Sequence, residues 1–265
     1  MNAKIKTFLM SLVLLPVALC FSACGAPLDS KASVNISGNY NQESSAQELQ
    51  DYANDEKIDD DSFLNSFKLS IDLATSGDNA QNVSMNLICK TTSTNVTETY
   101  LKFKMSDSKN SGNMTMYYTI ETTGTGTSGN AYVDMDFGSK KGKYKFDINS
   151  YMFQSLAEMT KPYMSLSKNY NFSSVESLNL IDDKAVMKAV SGNSTKFKVT
   201  LVSGDDTADL YYVFENNKFI GFQIINYTYT DSSETTTINL AMCVYDDDIN
   251  FDTNGYTDYP TTPTE

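Results

Sequence analysis

The sequence predicts a mainly β protein: an antiparallel meander that forms a curled sheet or half-barrel, with one or two short helices (α+β). Two observations carry this prediction. Apolar and polar residues alternate in ten successive segments, and clusters of Gly, Asn, Asp and Ser separate many of these segments. Alternation with a period of two is typical of a strand with one buried and one solvated face. Because the connections are short, neighbouring strands are expected to run antiparallel.

The ten strands fall into two groups. The first six are predicted around the alternating apolar residues at 67–73, 83–89, 101–105, 114–120, 133–137 and 144–148. The remaining four are predicted around 197–201, 210–214, 220–224 and 238–244. Asn216 and Asn217 lie between two strands of the second group, and Asn tolerates positive φ. This pair therefore predicts a two-residue hairpin turn.

A short helix is predicted near residues 150–160, between the two groups of strands. Phe153, Leu156 and Met159 recur at helical spacing, and Pro162 follows just past the expected end. The segment 175–190 is ambiguous between helix and strand.

The sequence divides the chain into four parts. Residues 1–23 form a predicted signal peptide, and residues 24–60 a flexible tether rich in Ser, Asn, Asp and Gln. Ser45 and Glu48 fit a capping box, so a short helix is expected within the tether. Residues 61–252 form the β domain, and residues 253–265 a frayed tail.

The N-terminal segment predicts export. Lys4 and Lys6 precede a mostly apolar run over residues 8–21, which is 14 residues long. A membrane-spanning helix needs about 20 residues, so this run is typical of a signal peptide.

The tetrapeptide Phe21-Ser22-Ala23-Cys24 at the end of this run resembles the lipobox of bacterial lipoproteins, although Phe21 stands where leucine is usual. The resemblance implies cleavage before Cys24 and lipidation of its thiol by a fatty acid such as palmitate. The protein would then be anchored by lipid on the extracytoplasmic face of a bacterial membrane, in the cell envelope. The alternative is an ordinary signal peptide that is cut near Ala23 or Ala26.

Composition excludes several classes of function. The chain carries 20 basic and 33 acidic residues, a net charge of −13, and this acidity makes a nucleic-acid partner unexpected. Arg, His and Trp are absent. Without His, neither a Ser-His-Asp triad nor an imidazole metal site can be assembled. We therefore expect a non-catalytic protein without cofactor or metal.

Three weaker motifs leave alternatives open. Two segments, Ser165 to Lys168 and Ser106 to Lys109, match the S-x-x-K spacing of penicillin-recognising enzymes, but no K-T-G follows. The acidic stretch 246–258 places oxygen ligands at alternate positions like a calcium loop, although several ligand positions do not fit. Cys89 and Cys243 could form a disulfide in an oxidising compartment, but their positions in the strand alternation place them on opposite faces.

The methionines are the most suggestive feature of the predicted sheet. Flexible thioethers suit a surface that accepts apolar ligands of varying shape, although they also fill ordinary cores. The predicted ligand-binding face consists of five strand methionines and three residues of the predicted helix: Met85, Met105, Met114, Met116, Met135, Phe153, Leu156 and Met159.

A curled antiparallel sheet with a helix against it resembles the half-barrel lipoproteins of the LolA and LppX type. The resemblance covers about residues 61–252 and depends on the strand pattern, so no functional residue can be transferred. It implies that lipid or another apolar group binds between the sheet and the helix. A β-sandwich fits the same strand pattern.

We therefore expect the protein to bind or carry an apolar ligand such as a lipid. The alternative is a structural or interaction lipoprotein that binds another envelope protein or a wall polymer. Tyrosines such as Tyr211, Tyr227 and Tyr229 could contribute to such a surface. An enzyme that uses carboxylates alone is a third possibility, and it would require two converging acidic groups.

Overall fold

The computed structural model confirms the mainly β prediction. It describes residues 28–54, 66–77, 80–93, 95–124, 126–138, 140–148, 184–203, 206–231 and 234–259. The elements are β1 (Gln42–Ser44), α1 (Ala46–Asn54), β2 (Ser66–Ser76), β3 (Gln81–Ser93), β4 (Val96–Asp107), β5 (Ser111–Thr123), β6 (Gly126–Phe137), β7 (Lys140–Asp147), β8 (Lys184–Ser191), β9 (Ser194–Ser203), β10 (Asp206–Glu215), β11 (Lys218–Asp231), β12 (Glu234–Val244) and β13 (Thr257–Asp258).

All of these strands belong to one 13-stranded sheet with the order β1-β8-β9-β10-β11-β12-β2-β3-β4-β5-β6-β7-β13. Two antiparallel meanders, β2–β7 and β8–β12, are joined side by side where β12 pairs with β2. At this junction Leu240 lies opposite Ile71. A single continuous sheet agrees with the predicted curled sheet better than with the alternative of two stacked sheets.

The inner face of the sheet, defined here as the face of Phe67, Leu69 and Ile71, carries the main core. Alternate residues of β8–β12, β2 and β3 meet on this face, and α1 packs against it through Leu49, which is completely buried. Tyr52 of α1 makes edge-to-face ring contacts with aromatic side chains of β9 and β10. The apolar period of two therefore forms the core as predicted.

Segments from both ends of the chain cover the outer face of the sheet. The strand pattern did not predict this packing. The N-terminal strap, residues 28–40, crosses this face. Near its start the Asp29 carboxylate accepts a hydrogen bond from the Tyr100 hydroxyl of β4, at 2.7 Å. Further along, the Ala32 amide donates to Ser70 Oγ of β2, at 2.7 Å.

The strap continues over the second meander. The Val34 amide donates to Gln223 Oε1 of β11 at 3.4 Å, and the Tyr40 ring packs edge-on against Tyr211 of β10, with 5.7 Å between the ring centroids. Ala32 and Val34 are buried. The tether prediction for residues 24–60 is therefore wrong over 28–54, because this part of the chain packs on the sheet as strap, β1 and α1.

The C-terminal strap, residues 245–259, covers the other half of the outer face. Its Phe251 ring stacks on Tyr117 of β5 at 4.9 Å, and its Tyr256 ring meets Tyr132 of β6 edge-on at 5.5 Å. The strap ends in β13, which pairs in parallel with β7. The tail predicted over 253–265 is therefore packed on the sheet as far as residue 259.

The sequence pattern predicts a solvated face on every strand. This expectation is wrong where the two straps cover the outer face. Lys68 of β2 alternates with buried apolar residues, yet it is only 1% exposed, and its Nζ donates to Ser30 Oγ at 2.7 Å. Ile88 of β3 is fully buried on the same outer face. Both residues are buried because a distant segment of chain lies over them.

Local predictions meet different outcomes. Asn216 and Asn217 form the β10–β11 turn with φ values of 51° and 60°, which confirms the hairpin. The ambiguous segment 175–190 contributes a strand, since β8 begins at residue 184. The helix predicted near 150–160 lies outside the described residues. In the part of the chain that the structure describes, no helix has the length and apolar character needed to cross a bilayer.

Candidate apolar-ligand site

The predicted strand methionines lie together on the inner face of β3–β6. The central row is Met85, Phe103, Met114 and Met135, each directly opposite the next in adjacent strands. Directly opposed residues of antiparallel strands share a face, and their side chains are neighbours. The sequence pattern assigns each side chain to a face, and the register brings these four into one continuous apolar row.

Two further rows flank the central one. On one side lie Leu87, Leu101, Met116 and Val133, and on the other lie Val83, Met105, Gly112 and Phe137, again in direct register. The methionine rows, meaning these three rows together, contain no ionisable side chain. They form an apolar surface four strands wide.

Burial changes across this surface. At the β3 side, Met85 and Leu87 are buried in the main core, which also contains Leu49 of α1. Towards β6 the side chains of Phe103, Met114 and Met135 are half-buried. Apolar groups in this state are stabilised further when another apolar group covers them, by roughly 25 cal/mol per Å². The β4–β6 half of the inner face therefore offers apolar area that a ligand can cover.

Gly112 shapes one end of the methionine rows. A Cβ at this position would lie 2.2 Å from Cδ1 of Phe137, so the ring of Phe137 occupies the space above the glycine. A larger side chain would displace this ring. The sequence pattern did not single out Phe137, Phe103 or Leu101 as site residues, because only the cross-strand register shows that they adjoin the methionines.

The predicted site residues fall into two groups. Met85, Met105, Met114, Met116 and Met135 all lie on the inner face, in adjacent strands. Phe153, Leu156 and Met159 fall outside the described residues.

The tyrosines that were considered for a binding surface are largely packed. Tyr227 is buried in the inner core and stacks on Tyr229, and burial raises its pKa above the ordinary range. Tyr211 lies under Tyr40 of the N-terminal strap. These three residues therefore do not form a common exposed patch.

The acidic stretch 246–258 makes local contacts. Asp248 forms an ion pair with Lys90 Nζ at 2.5 Å, which lowers the pKa of the carboxyl. Asp252 Oδ1 accepts hydrogen bonds from the amide and side chain of Asn254. Within the described residues, no group of three or more His, Cys, Asp or Glu side chains is arranged to hold a metal ion.

The strand register also places the two strand cysteines. Cys89 lies opposite Phe67 of β2, and Cys243 lies opposite Lys68. Successive residues of a strand belong to opposite faces, so the two positions have opposite parity, as their sequence alternation indicates.

Comparison with known proteins gives no family assignment. No protein-family model matches this chain, and no curated protein matches it significantly. The function is therefore inferred from the residues themselves.

Proposed function

We propose that the chain is a lipid-anchored extracytoplasmic protein that binds or carries an apolar ligand, such as a lipid, without catalysing a reaction. The observation that carries the proposal is the set of methionine rows on the inner face of β3–β6. Thioethers adapt their shape at little cost, so such a surface accepts chains of varying length and branching.

The contrast between the two halves of the inner face supports this proposal. Under α1, side chains such as Phe197, Val199 and Leu210 are completely buried, as in an ordinary core. On β4–β6 of the same face, Val133 is buried, whereas the four methionines of the rows on these strands are half-buried: Met105, Met114, Met116 and Met135. The sequence prediction adds Phe153, Leu156 and Met159 to the proposed site, and these three residues lie outside the described part of the chain.

A charge placed within the methionine rows tests the proposal. Met114→Lys puts an ammonium group in the central row, and its half-buried position lets the lysine stem reach towards solvent without unfolding the strand. Asn113→Lys is the matched control, because Asn113 is the preceding residue of β5 and is exposed on the opposite face. Binding of a fluorescent fatty acid is measured for both variants and for wild type, and circular dichroism checks folding.

We expect Met114→Lys to weaken fatty-acid binding at least tenfold, or by about 1.4 kcal/mol, while Asn113→Lys binds like wild type. Equal binding by both variants, or no binding by the wild-type protein, would contradict the proposal. If Met114→Lys is misfolded, Met114→Ala provides the same comparison with a smaller expected loss.

Anchoring through Cys24 is the second part of the proposal. It follows from the lipobox-like tetrapeptide that ends at Cys24 and from the small residues before it. Radiolabelled palmitate is expected to enter the full-length protein in a bacterial host and to be absent from Cys24→Ala. Equal labelling of Cys24→Ala would contradict the proposed anchor. It would leave the proposal of fatty-acid binding unaffected.

A further inference from the structure

The outer face contains a cleft near the end of the sheet that β1 and β8 form. This cleft, the strap cleft, is lined by parts of residues 35–42 and of β8, β9 and β10, and it has a volume of about 620 Å³. Binding sites for small ligands typically have volumes of roughly 300–1,000 Å³. The strap cleft is therefore large enough for a small molecule, and it lies on the opposite face of the sheet from the methionine rows.

A buried lysine without a counter-charge lines the strap cleft. Lys196 of β9 is only 7% exposed, and its Nζ donates to the carbonyl oxygen of Ser37 at 2.7 Å. An ammonium group has three N–H donors, yet within the described part of the chain Lys196 makes this one hydrogen bond and no ion pair. Buried charges are normally paired, because desolvation without a counter-charge is costly. Lys196 can therefore accept a negatively charged group from a ligand.

The N-terminal strap holds the lysine side chain in place. A Cβ at Gly38 would lie 3.9 Å from Cδ of Lys196 and 3.1 Å from Cβ of Ala189, so the backbone at residue 38 packs closely over both. The Ser37 amide donates to Asn35 Oδ1 at 3.1 Å, which fixes this part of the strap. A group that is already held in place loses little conformational entropy when a ligand binds, which favours affinity.

Glu215 of β10 adds an acidic group to the strap cleft. It lies directly opposite Ser194 of β9, and Lys196 is two residues further along β9 on the same face. Diagonal neighbours of this kind are roughly 7–8 Å apart. Among the described residues, Glu215 has no ion-pair partner. One cation and one carboxylate thus line the cleft at a separation that a ligand with both charges can bridge.

The lining residues indicate the chemical class of the ligand. Lys196 and Glu215 together give the cleft no net charge, so a phosphate ion attracted by the lysine would be repelled by the glutamate. An α-amino acid carries an ammonium group and a carboxylate on one carbon atom and matches both residues. Asn39, Asn41 and Gln42 line the cleft as well, and exposed amides both donate and accept hydrogen bonds. These amides match a polar side chain on the ligand.

We propose that the strap cleft binds a free α-amino acid with a polar side chain, as its zwitterion. Lys196 pairs with the α-carboxylate and Glu215 with the α-ammonium group, while the amides of residues 39–42 bond to the polar side chain. The site is separate from the methionine rows and takes a different class of ligand from the one assigned to the inner face.

Three related compounds test the requirement for both charges. L-Glutamine carries both, glutaramate lacks the α-ammonium group, and 4-aminobutanamide lacks the α-carboxylate. Calorimetry with the full-length protein measures the binding of each compound. We expect L-glutamine to bind, and the other two to bind at least tenfold more weakly. The proposal would be overturned if L-glutamine did not bind at millimolar concentration, or if either analogue bound as tightly as L-glutamine.

A matched pair of lysine variants tests the site itself. Lys196→Met removes the ammonium group and keeps an unbranched apolar side chain. Lys198→Met is the control, because Lys198 lies on the same face of β9 but outside the cleft, where it pairs with Asp209 at 2.8 Å. We expect L-glutamine to bind Lys196→Met at least tenfold more weakly than wild type, and Lys198→Met as wild type. Equal losses in the two variants would show a general effect of charge and overturn the assignment.

Glu215→Gln tests the acidic partner with a side chain of nearly the same size. Glu215 is half-buried, so this variant also decides the question if Lys196→Met does not fold. We expect it to lose the preference for L-glutamine over glutaramate that the wild-type protein shows. A preference that is unchanged in Glu215→Gln would overturn the proposed pairing with the ligand's ammonium group. None of these results affects fatty-acid binding on the inner face.

Discussion

Individual side chains fix the N-terminal strap to the sheet, and Asp29 is the clearest case. Its carboxylate accepts hydrogen bonds from Lys102, at 2.7 Å, and from Tyr100, also at 2.7 Å. The Lys102 contact is the largest cause that lowers the pKa of Asp29 below its ordinary value of 3.8, and the Tyr100 hydroxyl adds to it. The ionised form of Asp29 is therefore favoured in the folded protein.

The sign of the resulting pH dependence follows from this lowered pKa. The contribution of Asp29 to stability is fully present above pH 3.8 and is lost as pH falls through the pKa of the folded state. The Asp29 side chain is 63% exposed, so this contribution is expected to be below about 1 kcal/mol.

We predict that Asp29→Asn lowers the free energy of unfolding at pH 6 and that the difference from wild type shrinks under acid conditions. Urea titrations at pH 6 and pH 3 measure it. A difference that stays constant or grows as pH falls would contradict this assignment.

The burial and the contacts of individual side chains were the features least predictable from the sequence. Lys68 alternates with Phe67 and Leu69, so its pattern predicts a solvated lysine. The structure buries it under the N-terminal strap, where Ser30, 38 residues away along the chain, accepts its hydrogen bond. A contact between such distant segments leaves no trace in local periodicity.

Helix starts and turns that are determined by neighbouring residues in the sequence could be predicted. The Ser45–Glu48 pair marks the start of α1, where the Glu48 amide donates to Ser45 Oγ at 3.0 Å. The carboxylate of Glu48 does not complete the box by returning to the Ser45 amide. It accepts from Lys188 Nζ of β8 and from Ser44 Oγ, and so ties α1 to the sheet.

The β10–β11 hairpin gives a test at the scale of an element. Asn217 adopts a φ of 60°, a conformation that Gly adopts freely and a β-branched residue does not. We predict that Asn217→Val unfolds at lower denaturant concentration than Asn217→Gly, with a difference of roughly 1–2 kcal/mol.

Both variants lose the Asn217 side chain and its 3.4 Å contact with the Tyr52 hydroxyl, so the comparison isolates the backbone. Denaturation midpoints of the two proteins measure the difference. Equal midpoints would show that this turn does not depend on positive φ.

At the scale of the whole molecule, the strand pattern predicted a curled sheet or half-barrel and left a β-sandwich open, so the long-range packing had to come from the structure. The periodicity identifies which residues face inward, but it cannot show that β12 pairs with β2 or that two straps cover the outer face. The methionines could be identified from sequence, and their assembly into rows could not, because register depends on pairing between strands.

The N-terminal strap also determines which face of the sheet would lie near the membrane in a lipid-anchored protein. Leu28 packs on the outer face beside Tyr100 and follows Cys24 by four residues. Four residues span at most about 14 Å. A lipid on Cys24 would therefore hold the outer face of β4 close to the membrane, and the methionine rows would lie on the other face of the sheet.

The most direct test of the central claim is mass spectrometry of apolar molecules extracted from the natively purified, full-length Cys24→Ala protein. This variant lacks the proposed acyl anchor, so any lipid recovered was bound non-covalently. We predict a fatty acid or lipid in near-stoichiometric amount, and much less from the same protein carrying Met114→Lys. Protein free of any apolar molecule, which also fails to take up lipid from vesicles, would contradict the account.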